Sequence, residues 1–409
     1  MTAAKAGVVI VGGGQAGGEG AIALREGGYQ GPVTIVGDEP YPPYERPPLS
    51  KALLLGEASI ESTYLRGGGV FAERDIALKP GIRVAAIDRA GKGVGLSDGS
   101  GLAYDKLLLA TGAVVRKLPL PSADLAGVFY LRTIADTLSI RERLTPAATI
   151  VVIGGGYIGL EVAASARKRG AAAIVVEVAD RIMNRVVAPE LSDYFAAVHR
   201  GHGVQIRTQT TVAAIEGDHA VRAVRLSTGE TIAADIVVIG VGIAPDTALA
   251  AAAGLGIENG VKVDEFGATS DPDIYAAGDV TNHWNPLLGR YVRLESWQNA
   301  QNQAIAAAKA MIGQPAPYAE VPWFWSDQYD LNLQLVGAPL AWDQVVRRDG
   351  GDPNRFTLFY LAGGKLVAAN AVNNARDIRP ARQLIAKGTP LTPGELADPG
   401  VRMQDLVKR

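Results

Sequence analysis

Residues 8–17 read VVIVGGGQAG, and residues 150–159 read IVVIGGGYIG. Each stretch is a short β-branched run followed by G-x-G-x-x-G, and each leads into a segment of helical character, at residues 15–25 and 157–169. The same strand–turn–helix unit therefore occurs twice in the sequence. This repetition predicts an α/β fold with two Rossmann-like domains.

The six glycines of these motifs each have a physical role in holding a pyrophosphate. The first permits a tight turn after the strand, the second lets phosphates approach the backbone, and the third lets the helix pack closely on the strand. The helix N-terminus then presents free N–H groups and a partial positive charge to the phosphates. The glycines are Gly12, Gly14 and Gly17 in the first unit and Gly154, Gly156 and Gly159 in the second.

An acidic residue follows a second apolar run in each unit. Asp38 and Glu39 come after the run at residues 33–36, and Glu177 comes after the run at residues 174–176. In this kind of fingerprint, a carboxylate about 20 residues beyond the glycines holds ribose hydroxyls. Both units thus carry the strand, helix and acidic residue that a dinucleotide-binding domain needs.

Glu177 also bears on the choice between NADH and NADPH. A carboxylate accepts hydrogen bonds from a ribose diol, whereas it repels a 2′-phosphate by about 4 kcal/mol per unit charge at about 4 Å and an effective dielectric constant of about 20. The sequence therefore favours NADH. Arg181 and Arg185 lie close enough in the sequence to bind a phosphate instead, so NADPH is the alternative.

The composition excludes several classes of function. The 409 residues carry 40 basic and 42 acidic side chains, so no global basic excess indicates nucleic acid or a membrane as partner. Cysteine is absent, which excludes disulfides, thiol nucleophiles and Cys-ligated clusters. The histidines have no zinc-binding spacing, and no stretch of 18 apolar residues predicts a membrane span. We expect a cytoplasmic protein without a metal site, either a monomer or a homodimer.

Three domains are predicted along the chain. Continuous apolar strands at residues 106–110 and 235–240 suit parallel sheets buried on both faces. Alternation at residues 355–360 and 366–372 indicates antiparallel strands in a smaller C-terminal α+β domain. The last 15 residues are polar, which is typical of a loosely attached tail. The predicted domains are residues 1–112 with 245–320, residues 113–244, and residues 321–409.

Six further segments occur in order along the chain. They are RPPLSK (46–51), LLLATG (107–112), GIAPDT (242–247), TSDPDIYAAGDV (269–280), ESWQNA (295–300) and PWFWSDQYD (322–330). With both glycine motifs, they resemble the FAD-dependent, pyridine-nucleotide-linked oxidoreductases. Within these, the chain is most similar to ferredoxin reductases of monooxygenase and dioxygenase systems, the putidaredoxin reductase type. The resemblance implies a glutathione-reductase-like architecture, with FAD in the first Rossmann domain and NADH in the second.

The resemblance implies a role for each matching position. Lys51, Glu161 and Trp297 are the candidate catalytic residues: Glu161 would lie near the nicotinamide and pair with Lys51, and Trp297 would lie against the flavin. Besides the first three glycines, the implied FAD contacts are Asp38, Glu39, Arg46, Pro47, Lys51, Thr111, Gly112, Asp279 and Trp297. Besides the second three glycines, the implied NADH contacts are Glu161, Glu177 and Arg185.

The implied cofactors also suggest the electron acceptor. Nicotinamides give two electrons as hydride, iron–sulfur proteins accept one at a time, and a flavin can do both. The resemblance implies a small acidic [2Fe-2S] ferredoxin, with Trp325 near the exit side. A helix over residues 297–310 is expected to aim its positive N-terminus at the flavin. Candidate docking residues are Arg290, Arg293, Arg376, Arg379, Arg382 and Lys387.

Other functions share these motifs. An NADH:rubredoxin reductase, or an NADH oxidase that uses oxygen, would carry the same residues and differ only in its acceptor. A relative of the apoptosis-inducing flavoproteins would use the bound flavin and nucleotide as a redox signal or scaffold. A catalytically silent nucleotide-binding protein is a further alternative, against which the presence of Lys51, Glu161 and Asp279 argues.

Overall fold

The computed structural model describes residues 6–409, so the first five residues of the predicted first domain lie outside the described part. The chain begins with β1 (Gly7–Val11), α1 (Gln15–Glu26) and β2 (Val33–Gly37), the predicted strand–helix–strand unit. The elements that follow are α2 (Ala52–Leu55), α3 (Val70–Glu73), β3 (Ala77–Pro80), β4 (Val84–Asp88), β5 (Gly93–Leu96) and β6 (Gly101–Leu109). β3, β2, β1 and β6 are parallel neighbours, whereas β4 and β5 form an antiparallel extension on β6.

The second glycine unit lies in the middle of the chain. Its elements are β7 (Ala113–Val115), β8 (Val128–Phe129), α4 (Ile134–Arg143), β9 (Thr149–Ile153), α5 (Tyr157–Lys168), β10 (Ala172–Val176), α6 (Pro189–Gly201), β11 (Gln205–Arg207), β12 (Val212–Gly217), β13 (Val221–Leu226), β14 (Thr231–Ala233), β15 (Ile236–Ile239) and β16 (Ile243–Pro245). The parallel sheet has the order β11-β10-β9-β15-β8. β7 and β16 pair antiparallel where the chain enters and leaves this region.

The chain then returns to the first sheet. The elements here are α7 (Ala248–Ala252), β17 (Val261–Val263), β18 (Ile274–Ala276), β19 (Thr281–Asn285), β20 (Arg290–Val292) and α8 (Trp297–Met311). β18 joins β6 in parallel and completes the order β3-β2-β1-β6-β18. The two parallel sheets share the arrangement of their first four strands, whereas their fifth strands differ: β18 follows its glycine unit in the chain and β8 precedes its own. α8 covers the first sheet by packing against α1, and its buried face includes Ala304, Ala307 and Ala308.

The C-terminal region is an antiparallel sheet covered by helices. Its elements are β21 (Trp323–Gln328), β22 (Leu331–Gly337), β23 (Gln344–Asp352), β24 (Arg355–Ala362), β25 (Lys365–Val372), α9 (Ile378–Lys387), α10 (Pro393–Ala397) and α11 (Met403–Val407). The sheet order is β21-β22-β25-β24-β23. Three short 3₁₀ turns precede β3 and one precedes α9; the first of them, Pro47–Ser50, ends next to Lys51. The exact domain boundaries stay a prediction.

The expectation of a loosely attached tail is wrong. α11 buries Met403, Leu406 and Val407 against Leu384 of α9 and Leu396 of α10. The i, i+3, i+4 spacing of the three α11 residues places them on one helix face. The polar composition of the segment reflects its exposed face only, so it concealed a helix that completes the C-terminal core.

Two further features concern the part of the chain that the structure describes. Between residues 6 and 409, no helix is long and apolar enough to cross a membrane. Over the same residues, no group of three or more His, Asp or Glu side chains has an arrangement that could hold a metal ion.

A buried histidine predicts loss of stability in acid. His283 of β19 is 1% exposed, and burial lowers its pKa from the ordinary 6.5 to about 4. Below about pH 6.5, His283 therefore binds a proton in the unfolded state but not in the folded state. Stability that is present above that pH is lost as the pH falls towards 4. When the pH falls from about 7.5 to about 5, the free energy of unfolding should decrease by about 2 kcal/mol less in the His283→Leu variant than in wild type.

Urea unfolding at the two pH values measures this difference. The exposed His219 supplies the control, because His219→Leu removes a histidine that is not buried. The wild-type pH dependence should persist in the His219 variant. Equal pH dependence in wild type and in His283→Leu would show that the buried ring does not drive acid destabilisation.

Candidate functional site

The first glycine motif forms a cradle at the carboxyl ends of β1 and β2. Gly12 has φ +116°, and a Cβ there would lie 2.1 Å from the carbonyl oxygen of Ala110, so the tight turn requires glycine. A Cβ on Gly14 would meet no atom within 4 Å, so it would project into the open cradle. Within residues 6–409, neither side-chain amide atom of the neighbouring Gln15 has a hydrogen-bond partner. An open cradle with unpaired polar atoms fits a bound polar ligand such as a pyrophosphate.

A first cleft extends from this cradle across the carboxyl edge of the sheet. Its lining brings together residues that are far apart in sequence but were predicted as one FAD site. These are Gly12, Gly14, Asp38, Glu39, Arg46, Pro47, Lys51, Thr111, Gly112, Asp279 and Trp297. The cleft therefore has the polar and aromatic groups that FAD requires along one continuous surface.

Two ion pairs stiffen the floor of the first cleft. Glu39 accepts from Arg46 at 3.0 Å and from the Tyr44 hydroxyl at 2.7 Å. Arg132 Nη2 donates to Asp279 Oδ2 at 3.2 Å, and the Arg132 carbonyl accepts from Arg46. Burial, together with the nearby Arg46 charge, lowers the pKa of Arg132. The network holds Asp279 and Arg46 in place along the cleft.

The N-terminus of α8 opens onto the same cleft. Ser296 caps the helix by accepting from the Asn299 backbone N–H, and both Ser296 and Trp297 line the cleft. The predicted helix over residues 297–310 is therefore present, one residue longer at its C-terminal end. Its 15 residues place a partial positive charge beside Trp297, a site suited to negative charge.

The second glycine motif forms an equivalent cleft. Gly154 has φ +110°, and a Cβ there would lie 2.4 Å from the Gly240 carbonyl oxygen, whereas a Cβ on Gly156 would meet no atom within 4 Å. Glu177 follows β10 and accepts from the backbone N–H groups of Gly155 at 2.7 Å and Ala179 at 2.8 Å. Arg185 also lines this second cleft. These residues fit the predicted nicotinamide nucleotide.

Three other predicted residues have different surroundings. Gly17 and Gly159 do not line the clefts, because each packs against the first glycine of its own motif: an added Cβ would lie 2.0 Å from the Gly12 carbonyl oxygen and 2.1 Å from that of Gly154. They act through helix–strand packing, as expected for third glycines. Arg181, the alternative phosphate ligand, donates instead to the carbonyls of Val187 and Asn184, both at 2.9 Å.

Glu161 of α5 joins the three parts of the fold. Its Oε2 lies 2.9 Å from Lys51 Nζ and accepts from the Ser50 hydroxyl, and its Oε1 accepts from the Ser326 hydroxyl at 2.7 Å. Glu161 is only 2% exposed, yet it lines the first cleft with Lys51. The predicted Lys51–Glu161 pair is thus present, and a serine from β21 supports it.

The two clefts meet beside this pair. Ile158, Asp279 and Phe324 line both clefts, as do Arg46, Arg132 and Glu295. Trp325 also lines the first cleft, where its ring lies edge-on to Trp297 at 5.9 Å and stacks on Trp323 at 5.1 Å. Ligands in the two clefts would therefore approach each other next to Lys51 and Glu161.

Five of the six basic residues predicted for docking have hydrogen-bond or ion-pair partners within residues 6–409. Arg293 pairs with Glu295, Arg382 pairs with Glu320, and Arg376 lies 3.9 Å from Asp377. Arg290 donates to the Ala338 carbonyl and Lys387 to the Val407 carbonyl, each at 2.5 Å. The three carboxylate pairs reduce the positive field of this set, and its docking role stays a prediction.

Sequence reasoning missed several residues of the site. Arg132 was missed although it directly precedes a capping box, in which Thr133 and Asp136 exchange hydrogen bonds at the start of α4. That signal marks a helix N-terminus, and the residue before it lies at the end of a loop facing the cleft. Ser50 and Ser326 carried no signal, because a serine acquires its role here only through tertiary packing.

Comparisons with known proteins agree with this geometry. Residues 6–304 match the family described as pyridine nucleotide-disulphide oxidoreductase, and residues 323–407 match the one described as reductase C-terminal. The rhodocoxin reductase of Rhodococcus erythropolis is 44% identical over 392 residues, or 96% of this chain and 92% of the relative. The ferredoxin–NAD(+) reductase component of the Burkholderia cepacia anthranilate 1,2-dioxygenase system is 43% identical over 402 residues, or 98% of each chain.

A solved structure shares the whole fold. The crystal structure of the covalent putidaredoxin reductase–putidaredoxin complex matches with a TM-score of 0.95 and 41% identity, over 99% of each chain. The predicted fold class and the resemblance noted from the sequence are confirmed. The chain is therefore a member of the pyridine nucleotide-disulphide oxidoreductase family, with a reductase C-terminal domain at residues 323–407.

Proposed function

We propose that this protein is an FAD-dependent NADH:ferredoxin reductase, which takes hydride from NADH and passes single electrons to a small [2Fe-2S] ferredoxin. The observation that carries the proposal is the meeting of two dinucleotide clefts beside the Lys51–Glu161 pair. The family implies FAD and a nicotinamide nucleotide as cofactors. The relatives named as ferredoxin reductases support the acceptor.

Each domain has its own part in this proposal. Residues 1–112 with 245–320 hold FAD, residues 113–244 hold NADH, and residues 321–409 cover the junction with Phe324 and Trp325. Bound FAD supplies the change from two-electron to one-electron transfer. The chain itself binds both nucleotides, orients them at the shared end of the clefts, and keeps Lys51 and the α8 N-terminus beside the first cleft.

The lack of cysteine excludes a disulphide as an intermediate carrier of electrons. The disulphide chemistry in the family's name needs a redox dithiol, and this chain contains no cysteine. Electrons must therefore leave from the first cleft directly to a docked acceptor. We propose a cytoplasmic location, because NADH is supplied there, and the choice between monomer and homodimer stays open.

Stopped-flow mixing tests the proposed function. The purified protein is reduced with NADH in the absence of oxygen, and then mixed with [2Fe-2S] ferredoxins while flavin absorbance is followed. We expect fast reoxidation by at least one acidic ferredoxin, slowed steeply by salt if basic residues guide docking. Faster reoxidation by rubredoxin or by oxygen would support those alternatives, and slow turnover with every acceptor would favour the signalling scaffold.

Glu177 provides a prediction about nucleotide preference. Glu177→Gln keeps the shape of the side chain but removes its charge, so a 2′-phosphate is no longer repelled. We expect the NADPH-to-NADH ratio of kcat/KM to rise by about 10- to 100-fold, since screening leaves only part of the full Coulomb repulsion. Steady-state kinetics with both nucleotides measures the ratio.

A matched variant controls for the change in net charge. Glu216 lies on β12, pairs with Arg225 at 2.8 Å and does not line the second cleft. Glu216→Gln should leave the ratio unchanged. A wild-type preference for NADPH, or an unchanged ratio in Glu177→Gln, would remove Glu177 from nucleotide selection.

A further inference from the structure

A chain of buried polar side chains runs from Glu161 towards the surface, away from both clefts. Ser326 donates to Glu161 at 2.7 Å, and Gln328 Nε2 donates to the Ser326 hydroxyl at 3.1 Å. His199 Nε2 lies 2.8 Å from Gln328 Oε1, and the Tyr329 hydroxyl lies 3.2 Å from His199 Nδ1. Ser326, Gln328 and His199 are each 1% exposed or less. These four contacts connect β21 and α6 to the centre of the site.

The side chains of β21 alternate between two faces, so Ser326 and Gln328 lie on the face opposite the tryptophans. Successive side chains of a strand point to opposite faces, so Phe324, Ser326 and Gln328 share one face. That face packs on α5, where the Phe324 ring lies 4.8 Å from that of Tyr157. Trp323 and Trp325 occupy the other face. One strand therefore carries the two tryptophans on one face and places Ser326 beside Glu161 on the other.

The charge on Glu161 fixes the direction of every hydrogen bond in the chain. An ionised carboxylate only accepts, so Ser326 must donate to it and can accept only from the Gln328 NH₂. Gln328 then presents its oxygen to His199, which must carry its proton on Nε2. The free Nδ1 of the neutral ring accepts from Tyr329. All four donors thus point towards Glu161.

The residues at the outer end of the hydrogen-bonded chain favour these donor and acceptor assignments. Burial lowers the pKa of His199 to about 4 despite the hydrogen bond with Gln328, which acts in the opposite direction, so the ring stays neutral at ordinary pH. Burial raises the pKa of Tyr329, so its hydroxyl stays a donor. Tyr329 adopts φ +59°, a left-handed conformation that is uncommon outside glycine. Lys168 binds its carbonyl at 3.1 Å, and His202 stacks on its ring at 3.7 Å.

We propose that Ser326, Gln328 and His199 are positioning residues that hold the Glu161 carboxylate turned so that Oε2 faces Lys51. The proposal deepens the proposed function and rests on it. Oε1 is occupied by Ser326, which leaves Oε2 for Lys51 at 2.9 Å and for the Ser50 hydroxyl. The other titratable groups near the chain are Lys51 at the inner end and His202, Arg167 and Lys168 at the outer end.

The tautomer of His199 tests the chain without any measurement of activity. In the full-length protein with ¹⁵N-labelled histidine, His199 should be neutral with its proton on Nε2 between about pH 8 and about pH 5.5. The spectrum of His199→Gln assigns the signal. A proton on Nδ1, or a charged ring at about pH 6, would overturn the proposed direction of the hydrogen bonds.

A double-mutant cycle tests whether the chain acts through Glu161. Gln328→Met should slow NADH-dependent flavin reduction about tenfold in the wild-type background and less than about twofold in Glu161→Gln, because the chain then has no carboxylate to orient. Equal slowing in both backgrounds, or none in wild type, would contradict the proposal. Thr357→Val serves as control: Thr357 is buried on β24 of the same sheet and donates to Asp377 at 3.0 Å, so the variant should be reduced at the wild-type rate.

These experiments distinguish a failure of the positioning role from a failure of the proposed function. If NADH does not reduce the flavin of the wild-type protein at all, the proposed function fails, and the tautomer of His199 still decides the direction of the chain. If NADH reduces the wild type and a ferredoxin reoxidises it, but the cycle shows no coupling, the proposed function stands and the positioning role is overturned.

Discussion

The Gly14→Val variant should fold and yet lose its FAD. A Cβ on Gly14 would meet no atom within 4 Å, and φ −96° with ψ −166° is extended backbone that valine adopts easily, so the substitution costs the protein fold little. The valine methyl groups would instead occupy the cradle where a pyrophosphate must approach the backbone. We expect FAD affinity to fall by more than about 100-fold, which corresponds to about 3 kcal/mol.

The second glycine motif provides a matched control for this variant. Gly156 also has extended backbone, with φ −80° and ψ −179°, and open space around its Cβ position. Gly156→Val should keep full FAD content but no longer be reduced by NADH at concentrations that saturate wild type. Flavin absorbance per protein, far-UV circular dichroism and NADH titration distinguish the two outcomes. Full FAD content in Gly14→Val would remove this cradle from the flavin site, as would loss of FAD in Gly156→Val.

The parts of the site that the sequence predicted are those whose chemistry is local. A phosphate cradle needs a strand, a turn and a helix within about 30 residues, so its glycines and acidic residues appear together in one stretch. The repeat of that unit also predicted two Rossmann-like domains, and each of them has a parallel sheet. The resemblance then supplied Lys51, Asp279 and Trp297, which lie in separate segments but in family order.

The parts that the sequence did not predict depend on long-range packing. Ser50 and Ser326 lie 111 and 165 residues from Glu161, and nothing in their local sequence marks them as partners of a carboxylate. Arg132 reaches Asp279 across 147 residues. The C-terminal helix α11 was missed for a related reason, because its three buried residues are recognisable only once α9 and α10 are in place.

The Lys51→Met variant should keep its FAD but be reduced by NADH about 100-fold more slowly, the effect of removing one group that stabilises charge in a buried site. Lys51 lines the first cleft, and its Nζ lies 2.9 Å from Glu161 Oε2; the Glu161 side chain is 1% exposed and that of Lys51 is 19% exposed. Methionine keeps the apolar stem and removes the ammonium group. Stopped-flow reduction at saturating NADH separates this effect from weaker nucleotide binding.

A change in the rate of reduction must also be separated from a general loss of stability. Removing one partner of a buried ion pair leaves the other charge without compensation, at a cost of about 3–5 kcal/mol. Here the Ser50 and Ser326 hydroxyls still donate to Glu161, so we expect a cost below that range and a folded variant. Lys106 pairs with Asp273 at 2.8 Å and lies outside both clefts, so Lys106→Met loses an ion pair without touching the site. If both lysine variants were reduced equally slowly, the rate would depend on stability alone. A selective effect at Lys51 would show that its charge acts on hydride transfer, because both variants lose a lysine that pairs with a carboxylate but only one of those lysines lines the cleft.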